Sequence, residues 1–387
     1  MGIAGYRRHA LFYFGYYGAL GAFSPYIGRW VAANGHGGWA VGAMLALWYA
    51  GRMVAPPAWA RLTGHSAVPG HWLVGGCALA LLGFAAFLRL DTGVGLFVAM
   101  AWFALFFNAV VPQFEALTLS ALGPRSHDYG RVRVWGSVGF LLVAGSYGAL
   151  LDRFGDDAFV PLVLPWLALT LAAAWPHRRT PAVAPSAELR PAVWRRPGAR
   201  RLLGVALLVQ LGFGPFYVFY TLHLQAHGHD GLSVGLLWSV GVLCEIAMFW
   251  YAPALIRRYG AARVIAISLA ASVARWALVA TQADSLALMA LAQATHALGF
   301  AAFHAGCMRR MAELFPDRRD MNSAQGLLYG ISSGFGGVLG AGVSALAWQL
   351  GGGFAAFLVG AAVTLAALVL HLAAARFGRA VPIAESR

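Results

Sequence analysis

The feature that most constrains the fold of this chain is a series of apolar runs, each about 20 residues long. A helix of that length crosses a bilayer, because it rises ~1.5 Å per residue and the hydrocarbon core is about 30 Å thick. The chain has 387 residues, and only 11% of them are charged, whereas soluble domains carry about 25%. Backbone polar groups in lipid need internal partners, which helices provide. The sequence therefore predicts an all-α integral membrane protein.

Twelve such runs divide into two groups of six. The first group comprises Ala10–Val31, Trp39–Ala60, Gly70–Leu88, Gly95–Leu122, Val132–Leu151 and Phe159–Trp175. The second group comprises Leu202–Leu224, Leu232–Leu255, Val264–Thr281, Leu286–Phe315, Gln325–Leu350 and Phe354–Ala375. A stretch rich in Pro and Arg separates them. We therefore predict an N-terminal six-helix half (1–176), a cytoplasmic linker (177–200) and a C-terminal six-helix half with a short cytoplasmic tail (201–387).

The placement of the basic residues predicts the orientation. All 28 are arginines, and the formal net charge is +14. If the N-terminus and every even-numbered connection share one side, that side holds 23 arginines and the other only Arg29, Arg89 and Arg153. Cytoplasmic loops are enriched in basic residues, so both termini are expected in the cytoplasm. Membrane topology thus accounts for the charge, and we expect no nucleic-acid partner.

Charged residues inside the runs are the first functional candidates. The stretch from Leu236 to Trp276 forms two apolar segments around a basic turn, with Glu245 about 14 residues before the turn and Arg275 about 15 after it. A helix hairpin would place both charges at one depth near the bilayer centre. An ionised group there costs at least ~2.5–3.5 kcal/mol, so such residues usually pair and mark a substrate or ion path. Arg52 falls on Glu245 at an offset of 193, which hints at a parallel repeat.

A second acid and base can meet between the fourth and fifth runs. Glu115 and Arg133 lie at similar distances from the connection near Pro124. Arg133 is either a ligand or coupling residue or an anchor at the membrane surface. In the tenth run, His296 is either a hydrogen-bonding residue between helices or a member of a proton relay, since imidazole titrates near physiological pH.

Aromatic and small residues complete the pattern. The first and seventh runs are rich in Phe and Tyr; these side chains either face lipid or line a cavity, and Tyr17 and Tyr217 are the candidates for the cavity. Gly136, Gly139 and Gly145 predict close helix packing in the fifth run.

The sequence contains no cluster that indicates an enzyme. The histidines lack metal-ligand spacing, the three cysteines lie far apart without a CxxC motif, and no nucleophile with a base is visible. We therefore expect no cofactor other than the proton. A drug exporter and a receptor with a degenerate transport fold stay as alternatives.

The chain resembles the major facilitator superfamily over its whole length, and four segments carry the resemblance. Within it they resemble the lactose permease group of proton symporters and, more closely, bacterial 3-phenylpropionic acid transporters. The segments are Pro112–Ala116, Tyr129–Phe140, Leu237–Gly241 with Glu245, and Val273–Trp276.

The resemblance implies a function. It implies a monomeric symporter in a bacterial inner membrane, which takes up a small aromatic carboxylate with protons by alternating access. A symporter for an oligosaccharide or a nucleoside is the alternative. The substrate would be a small molecule, and the lipid bilayer the other partner.

The resemblance also implies roles for particular residues. Glu115 and Arg133 stand where lactose permease has a ligand-binding acid and base, and Phe140 stands where that permease stacks a Trp on the sugar. Arg275 and His296 match its Arg and His near the coupling site, but Gly299 occupies the place of its coupling Glu. We therefore predict that Arg133, Glu115, Phe140, Arg52, Tyr17 and Tyr217 bind substrate, and that Glu245, Arg275 and His296 couple protons.

Overall fold

The computed structural model describes residues 3–90, 92–181 and 194–377, and every regular element in these residues is helical. The N-terminal helices are α1 (Ile3–Phe23), α2 (Ile27–Ala33), α3 (Gly38–Thr63), α4 (Gly70–Ala85), α5 (Gly93–Leu122), α6 (Tyr129–Phe154) and α7 (Phe159–Ala174). The C-terminal helices are α8 (Pro197–Gly212), α9 (Gly214–Ala226), α10 (Gly231–Tyr259), α11 (Ala261–Thr281), α12 (Leu286–Ala297), α13 (Phe303–Leu314), α14 (Arg318–Tyr329) and α15 (Gly337–Phe377).

Eight helical segments of the described residues are long and apolar enough to cross a membrane. Two of them, Gly93–Phe154 with 62 residues and Ser323–Ala373 with 51, each contain two of the predicted runs. Helices α1 and α3, which carry arginines, are not among the eight. The chain is thus a multi-pass helical membrane protein. The number of twelve spans and the cytoplasmic side of both termini stay predictions.

Several predicted runs are interrupted rather than continuous. The first run breaks between Phe23 and Ile27, where Pro25 has no N–H to donate to a helix. The seventh run breaks at Phe213, and Pro215 lies in the first turn of α9, where a missing N–H costs nothing. The tenth run contains a π-helical segment, Leu298–Ala302, between α12 and α13.

The predicted linker at 177–200 lies only partly in the described residues. A 3₁₀ helix at Trp175–His177 precedes it, and α8 begins at Pro197. Residues 182–193 lie outside the described part of the chain, and so do residues 378–387 of the predicted tail.

The helices form two compact units. Unit 1 comprises Met1–Ser186 and Phe216–Val242, and unit 2 comprises Ala187–Pro215 and Leu243–Arg387. In unit 1, α1 packs against α6 and α7, and α5 packs against α3 and α4. In unit 2, α15 packs against α8 and α11. The predicted halves 1–176 and 201–387 stay a prediction.

An aromatic core organises unit 1. The Phe12 and Phe114 rings stack with centroids 3.7 Å apart, and the Tyr16 and Phe107 rings at 4.2 Å. Phe12 and Tyr13 are fully buried. Most α1 aromatics therefore stabilise the core of unit 1 rather than face lipid, whereas Tyr17 is only partly buried.

Glycines allow α1 and α6 to touch through their backbones. A Cβ on Gly139 would lie 2.4 Å from the Phe14 carbonyl oxygen, and one on Gly21 would lie 2.8 Å from that of Phe140. Even an alanine would therefore force these helices apart. The close packing predicted for this helix is confirmed at Gly139.

A partly buried ion cluster joins three elements of unit 1. Arg29 Nη1 lies 2.7 Å from Asp152 Oδ1, and Arg29 Nε lies 2.5 Å from Asp156 Oδ1. Asp152 Oδ2 also accepts a hydrogen bond of 2.6 Å from the backbone N–H of Gly231, where α10 begins. The cluster therefore fixes the end of α6 against α2 and the start of α10.

Candidate functional site

Three predicted residues of unit 2 form a continuous polar chain. Arg275 on α11 lies with Nη1 2.8 Å from Nδ1 of His296 on α12. The other ring nitrogen of His296, Nε2, contacts Oε1 of Glu245 on α10. The sequence placed the acid and the base at one depth, and the structure adds that His296 bridges them.

The direction of these bonds fixes the proton on the imidazole ring. A guanidinium can only donate, so His296 Nδ1 must accept from Arg275. The ring hydrogen then lies on Nε2, which donates it to the carboxylate of Glu245. We conclude that the chain runs from a cation through a neutral imidazole to an anion. Such a chain is sensitive to any added proton, because a doubly protonated ring can no longer accept from Arg275.

The polar chain of Arg275, His296 and Glu245 is shielded from solvent at its Arg275 end. The arginine is 2% exposed, and a buried charge is costly unless it is paired and hydrogen-bonded. Its guanidinium carbon lies 4.2 Å from the Trp276 ring centre and 5.7 Å from that of Phe213. Aromatic faces attract cations, so both rings stabilise the charge. At the other end, the Glu245 side chain is more exposed, at 17%.

The structure accounts for a glycine at position 299, where the resemblance to lactose permease led us to look for an acid. Gly299 lies in the π-helical segment Leu298–Ala302. A Cβ built there would lie 2.3 Å from Ser272 Oγ, well inside van der Waals contact. A side chain at this position would have to displace the Ser272 hydroxyl, and the acid that contacts His296 is Glu245.

Substituting Gly299→Ala is expected to destabilise the protein by about 1–3 kcal/mol, because the added methyl overlaps the Ser272 hydroxyl. The double variant Gly299→Ala/Ser272→Ala should recover most of that loss, since the next atoms, Phe213 Cζ and Ser272 Cβ, lie at 3.5 and 3.6 Å. Thermal unfolding in detergent measures both. Gly342→Ala, where a Cβ meets nothing within 4 Å, is the control. Equal midpoints for Gly299→Ala and wild type would contradict the overlap.

Unit 1 holds the second predicted acid–base pair. Arg133 Nε lies 3.6 Å from Glu115 Oε1, and the two side chains are 28% and 36% exposed. The guanidinium of Arg133 also lies over the Tyr17 ring, 3.9 Å from its centre, and 5.4 Å from that of Tyr13. This arginine is therefore partly exposed, loosely paired and stacked on an aromatic face. It is more exposed than Arg275, which is 2% exposed.

Gly136 makes room for this stack. A Cβ there would lie 2.7 Å from Arg133 Nη1 and 2.7 Å from Tyr17 Cδ2. The glycine one turn after Arg133 thus leaves space for the guanidinium over the Tyr17 ring, and its role goes beyond the helix packing expected from the sequence.

The other predicted substrate residues also lie in unit 1. Arg52 is partly buried on α3, and the Tyr49 and Tyr217 ring centres are 6.4 Å apart. Phe140 is partly buried on α6. The six residues predicted to bind substrate therefore lie in unit 1, and the three predicted to couple protons lie in unit 2. Their roles stay predictions.

Sequence reasoning missed two residues that contact the arginines of the candidate site. Tyr13 lies beside Arg133, and Gln293 accepts a hydrogen bond of 3.1 Å from Arg275 Nη2. Gln293 lies three residues before His296, so the two share one helix face. That spacing was the signal that could have found it. Among the described residues, no group of three or more His, Cys, Asp or Glu side chains could hold a metal ion.

The chain is similar to known membrane transporters in sequence. Residues 6–359 match the model of the MFS_1 like family. The "Probable 3-phenylpropionic acid transporter" of Escherichia coli (strain K12) is 28% identical over 319 residues, which cover 79% of this chain and 82% of that protein. The "Maltose permease" of Geobacillus stearothermophilus is 30% identical over 276 residues, 69% of this chain and 68% of that protein.

Solved structures show the same fold. The nucleoside transporter NupG superposes with a TM-score of 0.82 at 15% sequence identity, covering 95% of this chain and 98% of that one. A bacterial homolog of the human lysosomal transporter Spinster gives a TM-score of 0.70 at 13% identity, covering 96% and 95%. At these identities the likeness concerns the fold alone.

Proposed function

Because this chain belongs to the MFS_1-like family, we propose that it is a secondary transporter that imports a small aromatic carboxylate with protons by alternating access. The observation that carries the proposal is the partly exposed guanidinium of Arg133, stacked on Tyr17 and only loosely paired with Glu115. This arrangement offers a charge for a carboxylate and aromatic surface for a ring. The similarity to a probable 3-phenylpropionic acid transporter supports the same substrate class. The protein acts as a monomer in a bacterial inner membrane.

Substrate recognition follows from the chemistry of unit 1. A guanidinium presents a fork of N–H donors that matches a carboxylate with two parallel hydrogen bonds. Glu115 Oε1 lies 3.6 Å from Arg133 Nε, which is longer than a good hydrogen bond, so a substrate carboxylate competes for the cation against a weak partner. Tyr17, Tyr217 and Phe140 supply surface for the aromatic ring. Arg52 provides a second positive charge in the same unit.

Proton coupling follows from the polar chain of unit 2. When Glu245 takes up a proton, the anion at the end of the Arg275–His296–Glu245 chain disappears. The hydrogen bond from His296 then meets a neutral acid and weakens, because charge-assisted bonds are roughly twice as strong as neutral ones. Proton binding thus changes the stability of contacts among α10, α11 and α12. A conformational change that favours either the protonated or the deprotonated form of this polar chain is therefore linked to the proton gradient.

The experiment is uptake into proteoliposomes with an imposed proton gradient. Labelled 3-phenylpropionate, maltose and uridine are offered separately, each with and without a protonophore. We expect only the aromatic acid to accumulate above its external concentration, and the protonophore to abolish the accumulation. Accumulation of maltose or uridine instead would overturn the substrate class. Accumulation of 3-phenylpropionate that resists the protonophore would overturn the coupling.

A further inference from the structure

A buried amide lies beside the polar chain of unit 2. Gln293 on α12 is 0% exposed. Its Oε1 accepts a hydrogen bond of 3.1 Å from Arg275 Nη2, while Arg275 Nη1 donates to His296 Nδ1 at 2.8 Å. Two residues one helical turn apart thus hold two nitrogens of one guanidinium. Because the guanidinium is planar, fixing two of its N–H directions fixes the orientation of the whole group.

The orientation of the amide shows which of its atoms matters. Arg275 has only donors, so the carbonyl oxygen of Gln293 must face it and the NH₂ group must point away. Gln293 Nε2 is buried and makes no hydrogen bond within the described residues. Burying a donor without a partner is unfavourable, and an apolar side chain of similar length would avoid that cost. The value of a glutamine here is its bond to Arg275.

The consequence of that bond reaches Glu245. With Arg275 held by Gln293, its Nη1 points at His296 Nδ1, and the ring hydrogen must lie on Nε2, toward the carboxylate. Glu245 favours the same tautomer from the other side of the ring, because its carboxylate can only accept a hydrogen bond from Nε2. If Arg275 turned away, one of these two constraints would be lost, and the Nδ1–H form would become less unfavourable. The preference of His296 for this tautomer therefore rests on Glu245 directly and on Gln293 through Arg275.

We infer that Gln293 is a positioning residue for the proton step: through Arg275 it reinforces the tautomer of His296 that presents an N–H to Glu245. The transport consequence rests on the proposed function, whereas the tautomer itself does not. A structural role alone would lower the amount of folded protein. A positioning role changes the proton location and the coupling in protein that is folded.

The first test is Gln293→Met, which keeps the length of the side chain and removes the acceptor. In proteoliposomes that contain equal amounts of folded protein, we expect exchange of labelled for unlabelled 3-phenylpropionate to stay within about twofold of wild type. Uphill accumulation should fall about tenfold or more, the loss expected for one hydrogen bond to a charged group. Gln282→Met, at an exposed position after α11, is the matched control and should change neither. Equal losses of exchange and accumulation would overturn the inference.

The second test reads the tautomer directly and does not depend on transport. ¹⁵N spectra of protein labelled at the histidine rings are recorded, with the His296 signals assigned by their absence in His296→Gln. Wild type should show a hydrogen on Nε2, and Gln293→Met should show a measurably larger share of the Nδ1–H form. If Gln293→Met does not fold, Gln293→Asn, whose carbonyl falls one methylene short of Arg275, makes the same test. An unchanged tautomer in the folded variant overturns the inference. A changed tautomer in a protein that fails to couple uptake to protons refutes the proposed function and leaves the positioning role intact.

Discussion

Substituting Glu245→Gln is expected to abolish uphill accumulation of substrate while exchange across the membrane continues. The amide has nearly the shape of the acid, and its oxygen can still accept from His296 Nε2. It cannot bind or release a proton, so the polar chain with Arg275 stays in one charge state. Labelled substrate should then only equilibrate, whatever the size of the imposed proton gradient. The measurement compares accumulation and counterflow in the same proteoliposomes.

The control for this variant is Glu313→Gln. Glu313 is also in unit 2, but it is an exposed residue on α13 that pairs with Arg309 and Arg310 at 3.0 and 2.6 Å. Exposed pairs contribute at most about 1 kcal/mol, so accumulation should be unchanged. If Glu245→Gln accumulated substrate like wild type, Glu245 would not be the proton site, and Glu115 would become the next candidate.

Substituting Arg133→Gln is expected to weaken substrate binding by about 100-fold, because two hydrogen bonds from a cation to a carboxylate are lost and each contributes about 1.5 kcal/mol or more. Arg133→Lys should fall between the variant and wild type, since it keeps the charge but not the fork. The half-saturation concentration for exchange measures the effect, and binding to purified protein confirms it.

Arg131 supplies the control for Arg133. It lies two residues earlier on α6, its side chain is 82% exposed, and it pairs with Asp128 at 3.4 Å. Arg131→Gln removes the same charge from the same helix without touching Tyr17 or Glu115. A loss of affinity shared equally by both variants would assign the effect to general attraction of anions, and the ligand role of Arg133 would be withdrawn.

Sequence reasoning predicted the helical membrane fold because the signals are local. Apolar length determines a span, and Glu245 and Arg275 could be placed at one depth by counting residues from a shared turn. The pairing of Glu115 with Arg133 followed from the same counting. In each case the helix rise converts a number of residues into a position along one axis.

Sequence reasoning did not predict that His296 would bridge Glu245 and Arg275. The bridge through His296 depends on the rotation of three helices about their axes, and residue counting gives depth but not rotation. The π-helical segment at Leu298–Ala302 has the same origin: it accompanies the contact of Gly299 with Ser272, which is a tertiary contact without a local signal. The spacing of Gln293 from His296 was a signal, yet the sequence alone does not show which residue an isolated amide in a helix will bond to.

The measurement that tests the account most directly is proton movement on adding substrate. Proteoliposomes without a proton gradient, filled and surrounded by weak buffer, receive 3-phenylpropionate in its ionised form while the external pH is recorded. The account predicts a rise in external pH as protons enter with the substrate, absent from Glu245→Gln and abolished by a protonophore. Entry of labelled substrate without any rise in external pH would contradict proton coupling by this protein.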